Sequence, residues 1–261
     1  MKILIKSMAL ILLYAGVTTI AYAQDFASYF SASQAFEQLV AETSLSGNMP
    51  RIGNKKAADL IATLSDSQRF LDSATYQLKN ISSLTNMCDK ANAAVAAYAF
   101  FDLQNAVGEP KTAAIKMAKG VENNLLIFQD ELEHLQPFVI RCMAKVIPLH
   151  SEFLLSLKPD EFVETQRAEF LQSRNWVFRI YRGVLRIANY PAAKMSYRTK
   201  LLQAAAETAA QYSSVLQPAT RQQIFDLVKS AQITAPETLQ ESLEKIANAM
   251  AETSCDGLCK L

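Results

Sequence analysis

The chain has 261 residues, half of them apolar, with 26 basic against 25 acidic side chains, two histidines and four cysteines. A net charge of +1 argues against a nucleic-acid binder, which would carry a large basic excess. Two histidines also restrict metal and acid–base chemistry to a few places.

The N-terminus reads as an address. Met1 to Lys6 forms a short positive segment, Met8 to Ile20 an apolar one, and Ala21-Tyr22-Ala23 a small-x-small cleavage site followed by polar Gln24-Asp25. The apolar stretch falls short of the ~20 residues a spanning helix needs. A cleaved secretory signal peptide over 1–23 is therefore expected, with export to a periplasmic or extracellular compartment. Removing it from the 261 residues leaves 238, with 24 basic and 25 acidic side chains, and no later apolar run long enough to cross a bilayer. Cys88, Cys142, Cys255 and Cys259 all lie beyond the cleavage site, and an even count in an oxidising compartment reads as two disulfides.

From Asp25 onward the apolar residues recur at helical spacing. Leu239, Leu243, Ile246, Ala247 and Met250 fall on one face, as do Leu71, Ala74, Leu78 and Ile81, and again Ile224, Leu227, Val228 and Ala231. Ser65-Asp66-Ser67-Gln68 and Thr234-Ala235-Pro236-Glu237 have the form of capping boxes. Pro110, Pro159, Pro191, Pro218 and Pro236 stand where helices are about to begin. The pattern predicts helices near 26–43, 55–64, 66–82, 86–107, 111–135, 138–147, 160–188, 192–216, 219–231 and 236–254. The expected fold is all-α, a single helical-bundle-like domain of about nine to ten helices after the signal peptide. Gly47, Pro50 and Gly53 mark 45–54 as a linker, so 24–53 divides as an N-terminal helix and linker, loosely attached, from a helical domain over 54–261.

Helices 86–107 and 111–135, joined by Gly108-Glu109-Pro110, should run antiparallel and return the chain to the level of Cys88. If the chain bends back at Pro137, Cys142 comes within reach. Cys88–Cys142 is the expected bond, and Cys255–Cys259 follows by elimination, although two other connectivities exist.

Motifs for chemistry are sparse. Glu131-Leu132-Glu133-His134 has the Glu-x-x-His spacing of di-iron bundles, but those need a second copy, and position 147, three before His150, is isoleucine. Glu131 and His134 are weak metal candidates on what otherwise reads as a solvated acidic face with Asp130 and Glu133. Cys255-x-x-x-Cys259-Lys260 has one residue too many, and lysine in place of histidine, for haem attachment. No phosphate loop, nucleophile elbow or cofactor motif is present.

One asymmetry stands out. Between Glu169 and Glu207 there is no acid, while Arg174, Arg179, Arg182, Arg186, Lys194, Arg198 and Lys200 all fall there. The arginines cluster on one helix face, with Trp176, Val177, Ile180, Val184 and Ile187 expected on the buried side. Such a face suits an anionic envelope component or an acidic protein partner, with Tyr190 and Tyr197 adding contact area. An amphipathic helix whose arginines pair with acids elsewhere, those around Asp130 included, would show the same pattern. The expected function is a non-enzymatic binding or scaffolding module of the cell envelope. The alternative is an enzyme or metal-binding protein built on the Asp130, Glu131, Glu133 and His134 cluster.

Overall fold

The computed structural model describes residues 26–72, 76–103, 110–157, 164–251 and 259. The chain is helical over 26–44 (α1), followed by α2 (Lys55–Leu64), α3 (Ser67–Phe70), a 3-10 turn at Leu78–Asn80, α4 (Ile81–Ala99) and α5 (Pro110–Ile127). Then come α6 (Gln129–Ser156), α7 (Glu164–Ala188), α8 (Met195–Glu207), α9 (Ala209–Ser213), α10 (Pro218–Thr234) and α11 (Glu237–Ala251). The fold is all-α, in one compact domain, and the described residues contain no strand.

The hub is α6. It packs against α4 and α8, and α8 in turn packs on α7 and α11. Pro137 predicts one helix ending at 135 and another beginning at 138, because proline interrupts the ladder and crowds the preceding turn. In the structure α6 runs unbroken through both Pro137 and Pro148. The reason is the continuity of its buried face: Leu132, Leu135, Phe138, Val139 and Cys142 are all core residues. Burying each such side chain stabilises by about 1.5–3 kcal/mol, and together they outweigh the roughly 3 kcal/mol a mid-helix proline costs. The break falls instead at Phe128, itself buried, between α5 and α6.

The expected helix over 66–82 does not form as one piece. Asp66, not Ser65, is its cap, accepting from Arg69 N at 3.0 Å, and the helix it starts is only four residues long. Ser65 Oγ instead donates to Ile61 O at 2.8 Å, closing α2. The next long helix starts at Ile81, where Leu84, Met87, Cys88 and Ala91 begin a buried stripe. Similarly 192–216 divides at Thr208, whose hydroxyl donates back to Ala204 O at 2.7 Å. Thr234 is the last residue of α10 rather than a cap for α11.

Residues 26–54 are not a loose arm. Tyr29 and Phe36 on α1 are buried, and Tyr29 meets Phe70 edge-on with centroids 5.0 Å apart. The following segment is held from below. Tyr98 Oη donates to Pro50 O at 2.7 Å, Ile52 N donates to Glu131 Oε1 at 2.8 Å, and Arg51 Nε lies 3.3 Å from the same oxygen. Glu131 is fully buried, so these bonds form where water does not compete. Replacing Glu131 with alanine should cost about 2 kcal/mol, because Ile52 N–H and the guanidinium lose their acceptor. The loss is no larger because Arg51 is 45% exposed and water screens its share of the pairing. Denaturant melts measure the loss, and faster tryptic cleavage after Arg51 would localise it. An unchanged midpoint and cleavage rate would show that the carboxylate does not hold this segment.

Cys88 on α4 and Cys142 on α6 are disulfide-bonded, with Cα atoms 5.6 Å apart. The bond is as expected but its route differs: the two helices lie face to face, with no bend at Pro137. Cys259 is buried and is not a free thiol, while its expected partner Cys255 lies outside the described residues. Among the described residues no helix is long and apolar enough to cross a membrane.

Candidate functional site

A cleft of about 710 Å³ opens where α4 and α7 stand apart over α6. One wall is a polar stripe on α4: Ser82, Thr85, Asn86, Asp89 and Asn92. Their spacing, three or four residues apart, places them on a single helix face, opposite the core stripe of Leu84, Met87 and Ala91. The facing wall carries Gln172 and Trp176 of α7, and the floor carries His150 and Phe153 of α6. Burial pushes the Asp89 carboxyl above its ordinary range. Its volume lies within the range of small-molecule sites, roughly 300–1,000 Å³.

The cleft continues. A second hollow of about 190 Å³ shares Asn92 and Trp176 with the first and adds Val95, Val139, Arg179 and Ile180. A third, of about 230 Å³, shares Leu125, Gly183 and Ile187 with the second and ends between α5 and α7 at Tyr190. Residue numbers rise along α4 and α7 and fall along α6 from the first hollow to the second. The two walls therefore run parallel and the floor antiparallel. From Gln172 to Ile187 the groove follows α7 for roughly 22 Å at 1.5 Å per residue.

Gly183 sits at the join of the second and third hollows. Glycine in a helix interior is unfavourable unless something needs the space. Gly120 of α5 meets that condition, since a Cβ there would collide with a Leu103 methyl. At Gly183 a Cβ would meet no atom of the described residues within 4 Å. Gly183→Ala should accordingly raise stability by about 0.5–1 kcal/mol in a thermal or denaturant melt. A loss of stability would mean that the chain's own packing requires glycine there.

The seven basic residues singled out in the sequence do not form one face. Arg174 and Arg198 are buried: Arg174 Nε donates to Val215 O at 3.0 Å and Arg198 Nε to Ala188 O at 2.7 Å. Ala188 ends α7, so Arg198 serves a carbonyl that the helix leaves without a partner. Burial holds both guanidinia below the usual arginine range. Arg186 pairs with Glu122 at 2.5 Å, Lys194 with Asp130, and Lys200 with Glu133 at 2.8 Å. Arg179 and Arg182 are exposed, and the Arg182 guanidinium lies over the Phe178 ring at 5.8 Å.

The acidic cluster is drawn into the same cross-helix bonding. Glu133 accepts from Ser196 Oγ at 2.7 Å as well as from Lys200. Burial raises the Glu133 pKa, but these two hydrogen bonds outweigh it and hold the carboxyl below its ordinary range. Glu131 is turned to Arg51 and Ile52 N, while His134 is 3.7 Å from Glu133 and is held below its ordinary pKa by burial and by Lys200. Among the described residues no three His, Cys, Asp or Glu side chains are grouped to hold a metal ion. The Glu131 and His134 side chains thus have separate partners.

No protein-family model matches the chain, and no curated protein or solved structure is significantly similar to it. The groove stands on its geometry.

Sequence reasoning missed that groove for a definable reason. A polar stripe opposite a buried one is what any surface helix shows, so the α4 wall carried no distinguishing signal. Helical spacing places Trp176 on the expected buried side of α7 with Val177 and Val184. Those two are buried, but Trp176 is only partly covered and lines the opening. The one available hint was Gly183, a lone glycine in a strongly helical segment.

Proposed function

We propose that this chain is an exported, non-catalytic binding protein of the cell envelope whose ligand lies in the groove between α4 and α7. The observation that carries the reading is the 710 Å³ cleft, with the hydroxyl and amide stripe of α4 on one wall, Trp176 on the other and Met143, Val146, Ile147 and Phe153 in its floor. Such a lining orients a ligand by hydrogen bonds and gives it an aromatic surface to rest on. The acids nominated for chemistry, Asp130, Glu131 and Glu133, are instead occupied in holding helices and the 45–54 segment together. Export is supported by the signal-peptide pattern of residues 1–23, and the Cys88–Cys142 bond suits an oxidising compartment. An anionic group remains an attractive ligand feature through Arg179 and Arg182, the two arginines of the 174–200 segment that are exposed without an ion-pair partner among the described residues.

Trp176 is the chain's only tryptophan, so its fluorescence reports on the groove alone. Protein recovered from the exported fraction should begin at Gln24. Titration with representative envelope glycans, phospholipid derivatives and peptides should give a saturable Trp176 change for one class. Asn92→Arg, which fills the junction of the first two hollows, should abolish that change. Retention of residues 1–23 in an unexported chain would refute the compartment, and absence of any saturable response would refute the groove as a binding site.

A further inference from the structure

Resting on the groove-binding reading above, we infer that the ligand is a single-chain zwitterionic amphiphile of the lysophosphatidylethanolamine type. Its ammonium would face Asp89, its phosphate Arg179, and its acyl chain would run over Gly183 into the hollow between α5 and α7.

Three observations converge on this class. The first is the change of lining along the groove. The opening hollow sets the hydroxyl and amide stripe of α4 against an apolar floor of Met143, Val146, Ile147 and Phe153, the second is walled by Val95, Val139 and Ile180, and the third by Val121, Leu126 and Ile187. A wholly polar ligand such as an oligosaccharide would leave the inner two hollows unused. A free hydrocarbon would leave the α4 stripe unused.

The second is charge. Asp89 is a carboxylate lining the first hollow and Arg179 a guanidinium lining the second. They stand on opposite walls, one helical turn to either side of the shared Asn92 and Trp176. Neither has an ion-pair partner among the described residues. Along the groove the order is carboxylate, guanidinium, apolar wall. That is the order of ammonium, phosphate and chain in such a lipid, and a guanidinium can grip phosphate bidentately.

The third is Gly183. Its missing side chain leaves the groove open between the second and third hollows, and no atom of the described residues lies within 4 Å of where a Cβ would stand. A helix-interior glycine without an internal packing reason, placed where two hollows of a groove meet, has a straightforward use if a chain passes over it.

The experiment uses the mature protein and 1-palmitoyl-lysophosphatidylethanolamine below its micelle concentration, read by Trp176 fluorescence and by native mass spectrometry. One lipid per protein is expected. Gly183→Leu should weaken binding at least tenfold while melting no lower than the wild type, since its side chain projects into empty space. Asp89→Asn should weaken binding of this lipid several-fold and leave palmitate binding unchanged, whereas Arg179→Gln should weaken both. Glycerophosphoethanolamine, which has the head but no chain, should bind at least a hundredfold more weakly. Equal binding by Gly183→Leu, or by the chain-free head, would overturn the inference. A saturable Trp176 response to a glycan or peptide, with none to the lipid, would overturn it while leaving the groove-binding reading standing. No response to any of these compounds would sink both.

Discussion

Removing the Cys88–Cys142 bond by the double substitution Cys88→Ala/Cys142→Ala should lower stability by about 4 kcal/mol. The two cysteines are 54 residues apart in sequence, and closing a loop of that length removes about 4 kcal/mol of chain entropy from the unfolded state. In a domain of this size that corresponds to a fall in melting temperature of roughly 10–15 °C. Alanine is the right replacement because both sulfurs are fully buried, and serine would add hydroxyls that need partners. Wild-type protein melted under reducing conditions should show a fall of similar size. A melt insensitive to both treatments would mean that the unfolded chain already keeps the α4 and α6 segments together through residual structure. The position of the bond has a functional side. Cys88 precedes Asp89 of the groove wall and Cys142 precedes Met143 of its floor. Reduction should therefore weaken ligand binding before it unfolds the protein, as wall and floor gain freedom relative to each other.

The parts of the fold legible in the sequence were those fixed by local pattern. The face of Leu239, Leu243, Ile246 and Met250 is the buried face of α11, and Lys55–Leu64 forms a helix with the bounds its pattern predicts. What failed was punctuation. Pro137 is a strong local signal against a continuous helix, but α6 is buried on most sides and its apolar contacts decide the matter. Ser65 and Thr234 both have the chemistry of a cap, and both were pre-empted by a neighbouring helix that used the residue first. The basic segment failed differently. Charge counting along the chain cannot tell an arginine that meets solvent from Arg198, which reaches a carbonyl ten residues away, at the end of α7. Nor can it see that Lys194, just before α8, and Lys200, on it, face Asp130 and Glu133 of α6, more than sixty residues away in sequence. The groove belongs to this class of feature, because it exists only where three helices separated in sequence leave a gap.

Alkali should unfold this protein sharply, because the core is rich in buried phenols. Tyr29, Tyr98, Tyr181, Tyr197 and Tyr212 are fully covered, and four of them donate to backbone carbonyls, among them Tyr212 to Ile140 O at 2.6 Å. Tyr197 donates to Gln136 instead. Burial pushes all five well above the ordinary tyrosine pKa, and it raises Tyr76 too. Above about pH 10 the unfolded chain gives up these protons while the folded chain retains them, so the unfolded state binds fewer protons. Stability is therefore complete below the unfolded pKa and falls as pH rises beyond it, by up to about 1.4 kcal/mol per pH unit for each buried phenol. With six such groups the slope can reach roughly 8 kcal/mol per unit, enough to exhaust a typical domain stability of 5–15 kcal/mol within one or two units. Melts between pH 8 and 11 should hold level and then drop steeply. Phenolate absorbance should appear together with unfolding rather than before it. Tyr181→Phe, which gives up only a long 3.3 Å hydrogen bond to Ala205 O, should make the drop shallower by one phenol's share. Gradual ionisation of all the tyrosines in a still-folded protein would show that water reaches these hydroxyls and that the core is not closed around them.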